Sequence, residues 1–154
     1  MRIMLIDDEA DCLASLSSAM QPTEHQIDVF DNPAKAMADF SHVEYQLVIT
    51  DMKMPQMTGI EVLQEVKRAR PETQVIIITG YGDAETAIAA LNNGAFAFFG
   101  KPVDIGELLE TIDKVEVALS NSVETSLEHE RIKEEYEKLR NAYLELKTFL
   151  ERQE

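Results

Sequence analysis

Ile3-Met4-Leu5-Ile6-Asp7-Asp8-Glu9 decides how this chain reads: a short apolar run that stops on acids. The same event recurs downstream. Leu47-Val48-Ile49-Thr50 runs into Asp51, Val75–Thr79 into Gly80, and Phe96–Gly100 into Lys101. Runs that are apolar at nearly every position suit strands buried on both faces. Ile27–Phe30 adds a further strand candidate. The stretches between them carry helical spacing with start and stop signals. Asn32-Pro33 reads as an N-cap followed by proline in the first turn. Thr58-Gly59 precedes a helix containing Val62, Leu63 and Val66, Asp83 and Asp104 cap two more, and Gly94 ends one. This succession of βα units predicts an α/β fold: a five-stranded parallel sheet, doubly wound, with helices on both faces. The C-terminal strand ends then share one edge, the edge where ligands bind in such sheets.

Length and charge bound the function. With 154 residues, 45% of them apolar and 28% charged, the chain can close one full core. A formal net charge of −15 argues against nucleic acid and anionic membrane surfaces as partners. Cys12 is the single cysteine, which excludes an internal disulfide and fits a reducing, cytoplasmic setting. It lies in a helix-like stretch and is not read as catalytic. No signal-peptide pattern opens the chain, and no apolar run approaches the roughly 20 residues that span a bilayer.

Asp7, Asp8, Asp51 and Lys101 therefore converge on one sheet edge. Mg2+ prefers oxygen ligands and is usually held by one or two carboxylates together with phosphate oxygens. Three carboxylates on neighbouring strands meet that need and would repel one another without a cation. Asp51, alone at its strand end, is the candidate nucleophile, since a carboxylate can attack phosphorus to give an acyl phosphate. Lys101 would neutralise the oxygens of the transferring group, and Thr79 can donate a hydroxyl to them.

These residues bring the chain, over residues 1–120, into resemblance with the receiver domain of two-component response regulators. The match lies in Leu5-Ile6-Asp7-Asp8-Glu9, Ile49-Thr50-Asp51-Met52-Lys53-Met54-Pro55, Gly59, Ile78-Thr79-Gly80, Gly94-Ala95 and Lys101-Pro102, in order and spacing. The resemblance implies a flavodoxin-like receiver fold and a phosphorylation switch rather than a turnover enzyme. It implies Asp51 as phospho-acceptor, and Mg2+ bound by Asp8, Asp51 and the Lys53 carbonyl with Asp7 acting mainly through water. Lys101 would pair with the phosphoryl group, ahead of a cis bond to Pro102. Thr79 is the implied switch hydroxyl and Phe98 the switch aromatic. The implied partner is a sensor histidine kinase or a phosphotransfer protein. The loop Thr79-Gly80-Tyr81-Gly82-Asp83 is similar to the receivers of nitrogen-regulation-type activators. Gly100 departs from the apolar residue usual there.

Residues 121–154 read differently. They hold no glycine or proline and carry nine Glu against six Lys or Arg. Ile132, Tyr136, Leu139, Tyr143, Leu146 and Leu150 follow a 4-3-4-3-4 spacing, a heptad seam. A long C-terminal helix and a parallel homodimer through it are expected, with Glu135 facing Arg140 of the second copy. Ser120-Asn121-Ser122 reads as a soft joint. His129-Glu130 has the look of a kinase phospho-histidine pair but lacks the rest of that pattern, and reads as a seam or surface residue. Two other classes compete. An Asp-nucleophile phosphatase of the haloacid-dehalogenase type would need an acid two residues after Asp51, where Lys53 stands. A structural coiled-coil adaptor would not need the acids. The chain also reads as the receiver of a longer transcriptional activator.

Overall fold

The computed structural model describes residues 1–80 and 83–151, apart from the side chains of residues 146, 147 and 149–151. Tyr81 and Gly82, and the side chains of the seam positions Leu146 and Leu150, therefore lie outside what is described. Strands and helices alternate: β1 (Arg2–Ile6), α1 (Ala10–Met20), β2 (Gln26–Phe30), α2 (Pro33–Phe40), β3 (Leu47–Asp51), α3 (Gly59–Ala69), β4 (Gln74–Thr79), α4 (Ala84–Asn92), β5 (Ala97–Gly100) and α5 (Ile105–Glu151). All strand pairs are parallel, in the order β2-β1-β3-β4-β5. The α/β doubly wound expectation holds, and the strands fall within a residue of their expected ends.

Burial follows sheet position. Every residue of β3 is buried, as are four of five in β1 and five of six in β4, while edge strands β2 and β5 are partly open. Central strands of a parallel sheet are covered on both faces, which is why their sequences are continuously apolar. On one face Met4, Ile6, Val48, Val75 and Ile77 meet Phe40, Leu63 and Val66.

The caps form as their residue types dictate. The Asn32 side chain accepts from the amides of Ala34 and Lys35. Thr58 and Glu61 make a reciprocal capping box, with bonds of 3.2 and 2.7 Å. Asp83 accepts from the Thr86 amide and Asp104 from the Glu107 amide. Gly94 closes α4 with φ of 94°, a left-handed conformation that glycine adopts without Cβ strain.

The chain divides into two compact units, Met1–Glu116 and Val117–Glu154. In the first, Leu108, Ile112 and Val115 of α5 are buried. In the second, Val123, Leu127, Ile132, Tyr136, Leu139 and Tyr143 are exposed. α5 runs unbroken through Ser120-Asn121-Ser122, as expected of a long C-terminal helix. No glycine or proline interrupts the stretch, and the Ser122 hydroxyl bonds back to the Ala118 carbonyl at 2.9 Å instead of breaking the turn.

Candidate functional site

The site is built from ladder ends. Asp51 is the last residue of β3, opposite Ile78 of β4, and the next amide, Met52, donates to the Ile78 carbonyl at 2.9 Å. Asp7 follows β1, and its amide donates to the Phe30 carbonyl of β2. Lys101 follows β5, and its amide donates to the Thr79 carbonyl at 2.8 Å. Each residue sits in a hydrogen-bonded ladder or one step past it, so its backbone is fixed by the sheet. Parallel register puts all of them on the C-terminal edge.

The side chains converge. A carboxylate oxygen from each of Asp7, Asp8 and Asp51 lies within 4.8 Å of the others. Asp7 and Asp51 are buried and Asp8 is exposed. Lys101 Nζ reaches Asp7 Oδ2 at 2.8 Å and Asp51 Oδ1 at 3.3 Å. Burial pushes the Asp51 carboxyl above its ordinary range, and the charge of Asp7 adds to that, while Lys101 opposes it. Burial works against the charge on Lys101, but its hydrogen bond to Asp7 and the charges of Asp7 and Asp51 outweigh it and raise its pKa. Two buried acids on one lysine leave the cluster with excess negative charge. That donor set, all oxygen and anionic, fits a hard divalent cation of the Mg2+ kind.

Comparison with known proteins places this geometry. A sequence profile of the response regulator receiver domain matches residues 3–113. The chain belongs to the response regulator receiver family. The regulatory protein AtoC of Escherichia coli K12 is 36% identical over 107 residues, covering 70% of this chain and 23% of AtoC. A receiver domain from Clostridium thermocellum superimposes with a TM-score of 0.70 at 33% identity, over 74% of this chain and 92% of that one. The beryllofluoride-activated NtrC4 receiver domain, solved as a dimer, gives 0.73 at 27% identity, over 77% and 98%. The chain thus spans about a quarter of the length of the curated relatives it matches. The likeness to nitrogen-regulation-type activators extends from the loop motif to the relatives, and response regulator, receiver and two-component signalling describe the family plainly.

The other sequence-predicted residues lie on β4, on β5 and in the loop after β3. Thr79 ends β4 and is buried. Register pairs Thr79 with Gly100 and Ile77 with Phe98, so Thr79 and Phe98 share one face of adjacent strands. Phe98 is half-buried against the core. Lys53 stands in the exposed loop after β3, and its charge helps to lower the Asp83 pKa, after the hydrogen bonds from Thr86. The Lys101–Pro102 peptide is cis.

Two neighbours of the site escaped the sequence reading. Gly59 is one: a Cβ there would come within 2.6 Å of the Asp51 carbonyl oxygen and 3.0 Å of Met52 Cα. Its amide also donates to the Met52 carbonyl at 2.8 Å. Glycine lets α3 start directly against the backbone that carries Asp51. The sequence showed Gly59 only as a motif letter, and its spacing from Asp51 carried no sign of the contact. Cys12 is the other. Its thiol on α1 is pushed up to about 11 by burial and then by Asp7, so it stands protonated beside the acids. The direct step from Asp7-Asp8 into α1 was the available clue.

Proposed function

We propose that the receiver is a phosphorylation switch in which Asp51 accepts the phosphoryl group of a phosphohistidine on a sensor kinase or phosphotransfer protein. The N–P bond of the donor breaks as the Asp51 Oδ–P bond forms, and the donor imidazole recovers a proton. The observation that carries this reading is the convergence of Asp7, Asp8, Asp51 and Lys101 on one strand edge. Asp8, Asp51 and the Lys53 carbonyl are assigned to Mg2+, with Asp7 acting mainly through water. Bound there, the ion supplies charge neutralisation for the oxygens of the transferring group. Lys101, now shared between Asp7 and Asp51, turns toward the phosphoryl oxygens. Thr79 donates its hydroxyl to them, and Phe98 follows Thr79 inward on the shared face. The added charge of about −1.5 to −2 then shifts the population between two packings.

The chemistry is confined to the receiver's own Asp51, so the protein does not act as a turnover enzyme. Residues 1–120 are the receiver and 121–154 a helical extension that pairs in a parallel homodimer along Ile132, Tyr136, Leu139 and Tyr143. Their exposure on a single helix supports that pairing. The setting is cytoplasmic, which agrees with the free cysteine and with the absence, among the described residues, of a helix able to cross a membrane. A second reading makes this receiver the input module of a longer transcriptional activator. It is favoured by AtoC, a regulatory protein matched over only 23% of its length.

Labelling with a small acyl phosphate tests the acceptor. One phosphoryl group per chain is expected with Mg2+ present and none in chelator, and Asp51→Asn is expected to remain unlabelled. Full labelling of Asp51→Asn removes the assignment. Sedimentation of the phosphorylated and unphosphorylated chain tests the pairing, and a monomer in both states at high concentration ends it.

A further inference from the structure

A second cluster of metal-ligating side chains lies outside the acidic edge. His25 stands in the turn between α1 and β2, and Asp113 and Glu116 lie on α5. One ring nitrogen of His25 and one carboxylate oxygen from each acid lie within 4.8 Å of one another. The three border an open depression of about 430 Å³, where Glu24 offers a further carboxylate. We propose that His25, Asp113 and Glu116 form a cation site for a divalent transition ion of the Zn2+, Co2+, Ni2+ or Cu2+ class.

The donor set separates this site from the one at Asp51. Three carboxylates offer only hard oxygen, which suits Mg2+. An imidazole nitrogen with two carboxylates is a borderline set, and imidazole favours Zn2+ and its transition-metal neighbours. Three protein ligands leave a fourth position of a tetrahedral ion to water or to Glu24.

The spacing is within reach. Metal–ligand bonds of about 2.0–2.2 Å put tetrahedral ligands about 3.4 Å apart. Closing from no more than 4.8 Å requires side-chain movement of at most about 1.4 Å, a matter of rotamers rather than backbone. Asp113 and Glu116 are both exposed on α5. They stand at i and i+3 on α5, hence on one helix face. His25 is held in place from below, because the next amide, Gln26, donates to the Met1 carbonyl at 3.0 Å. The Met1 ammonium lies 3.3 Å from His25 Nδ1, so a cation already faces this ring. A metal ion would exchange one cation for another with two bonding carboxylates. It would also tie the α1–β2 turn to α5, two segments far apart in the sequence.

The competing account is electrostatic only: a histidine among acids, with no ion. Titration of the 154-residue chain with Co2+ in saturating Mg2+, followed by its visible absorption bands, separates the two. One equivalent is expected to bind with bands of nitrogen-containing coordination. His25→Ala and Glu116→Gln are each expected to weaken binding at least tenfold. Both should still accept a phosphoryl group at Asp51, which reports an intact fold and keeps this test apart from that of the acceptor. Binding that Mg2+ abolishes overturns the proposal. So does Co2+ affinity unchanged in both variants.

Discussion

The two stretches of α5 are one helix under two regimes. Up to Glu116 its apolar residues Leu108, Ile112 and Val115 are buried against the receiver core. Beyond, Ile132, Leu139 and Tyr143 are 58, 71 and 65% exposed. Both stretches lack internal glycine and proline after Gly106, so local propensity supports helix throughout. The first is held by packing within the receiver unit. An isolated helix is marginal in water, and ion pairs such as Arg131–Glu128 add little. The exposed apolar row on this charged helix is what the proposed pairing would cover.

The sharpest way to break that comparison is to make the same truncation in both stretches. Leu108→Ala removes a fully buried side chain and is expected to lower receiver stability by about 2–5 kcal/mol. Leu139→Ala, measured at a dilution where the chain is monomeric, is expected to cost less than about 0.5 kcal/mol. Denaturant unfolding reads both. Equal losses would mean that the second stretch is packed within the monomer after all.

Gly59→Ala probes the receiver at its tightest approach. The new methyl meets backbone, not a flexible side chain, at 2.6 Å from the Asp51 carbonyl. A loss of about 1–3 kcal/mol is expected, with slower phosphoryl labelling because the displaced backbone carries Asp51. The same change at Gly80, where nothing lies within 4 Å of the added Cβ, is expected to leave unfolding nearly unaltered. A Gly59→Ala protein of wild-type stability would show that α3 can retreat without cost.

These contrasts explain what the sequence could disclose. The sheet was legible because β1, β3 and β4 are covered on both faces, so Ile3–Ile6, Leu47–Thr50 and Val75–Thr79 are unbroken apolar runs. The acidic edge was legible because parallel strands share one C-terminal edge, which turns Asp7, Asp51 and Lys101 into neighbours. The caps at Asn32, Thr58, Asp83 and Asp104 depend on nearby residues and were equally plain. Gly59 against Asp51 and His25 with Asp113 and Glu116 depend on tertiary packing instead, and no spacing rule encodes them. Serine and asparagine favour turns, yet across Ser120–Ser122 the helix continues and the Ser122 hydroxyl satisfies itself within it.

Electrostatic tension is a further property of the receiver unit. Burial, reinforced by Asp7, holds the folded-state pKa of Asp51 above its unfolded value. In the interval between those values the folded protein binds more protons, so stability falls as pH rises through it. At neutral pH in chelator, Asp51→Asn is therefore expected to be more stable than wild type, and to lack that acidic-range slope. Added Mg2+ should reverse the order. At ten times its Kd it stabilises the wild type by about 1.4 kcal/mol and Asp51→Asn by much less. Thermal unfolding with and without Mg2+ checks both, and a wild type indifferent to the ion would detach Asp51 from cation binding.

The smallest expected effect concerns Lys67 at the end of α3. Its Nζ donates to the carbonyls of Thr73 at 2.8 Å and Pro71 at 3.2 Å. Burial lowers its pKa, and the charge of Glu72 only partly offsets this. The unfolded chain then binds more protons than the folded one just below the ordinary lysine value of 10.5. Stability contributed by this group accordingly rises with pH through that interval, opposite in direction to the Asp51 effect. Lys67→Met is expected to lose the slope and, at neutral pH, to cost stability through the two unpaired carbonyls. Lys67→Arg keeps a charge that does not titrate there, and is expected to flatten the slope with a smaller loss. If the alkaline slope survives in both variants, the proton responsible belongs to another group, and Lys67 serves the α3–β4 turn through its hydrogen bonds alone.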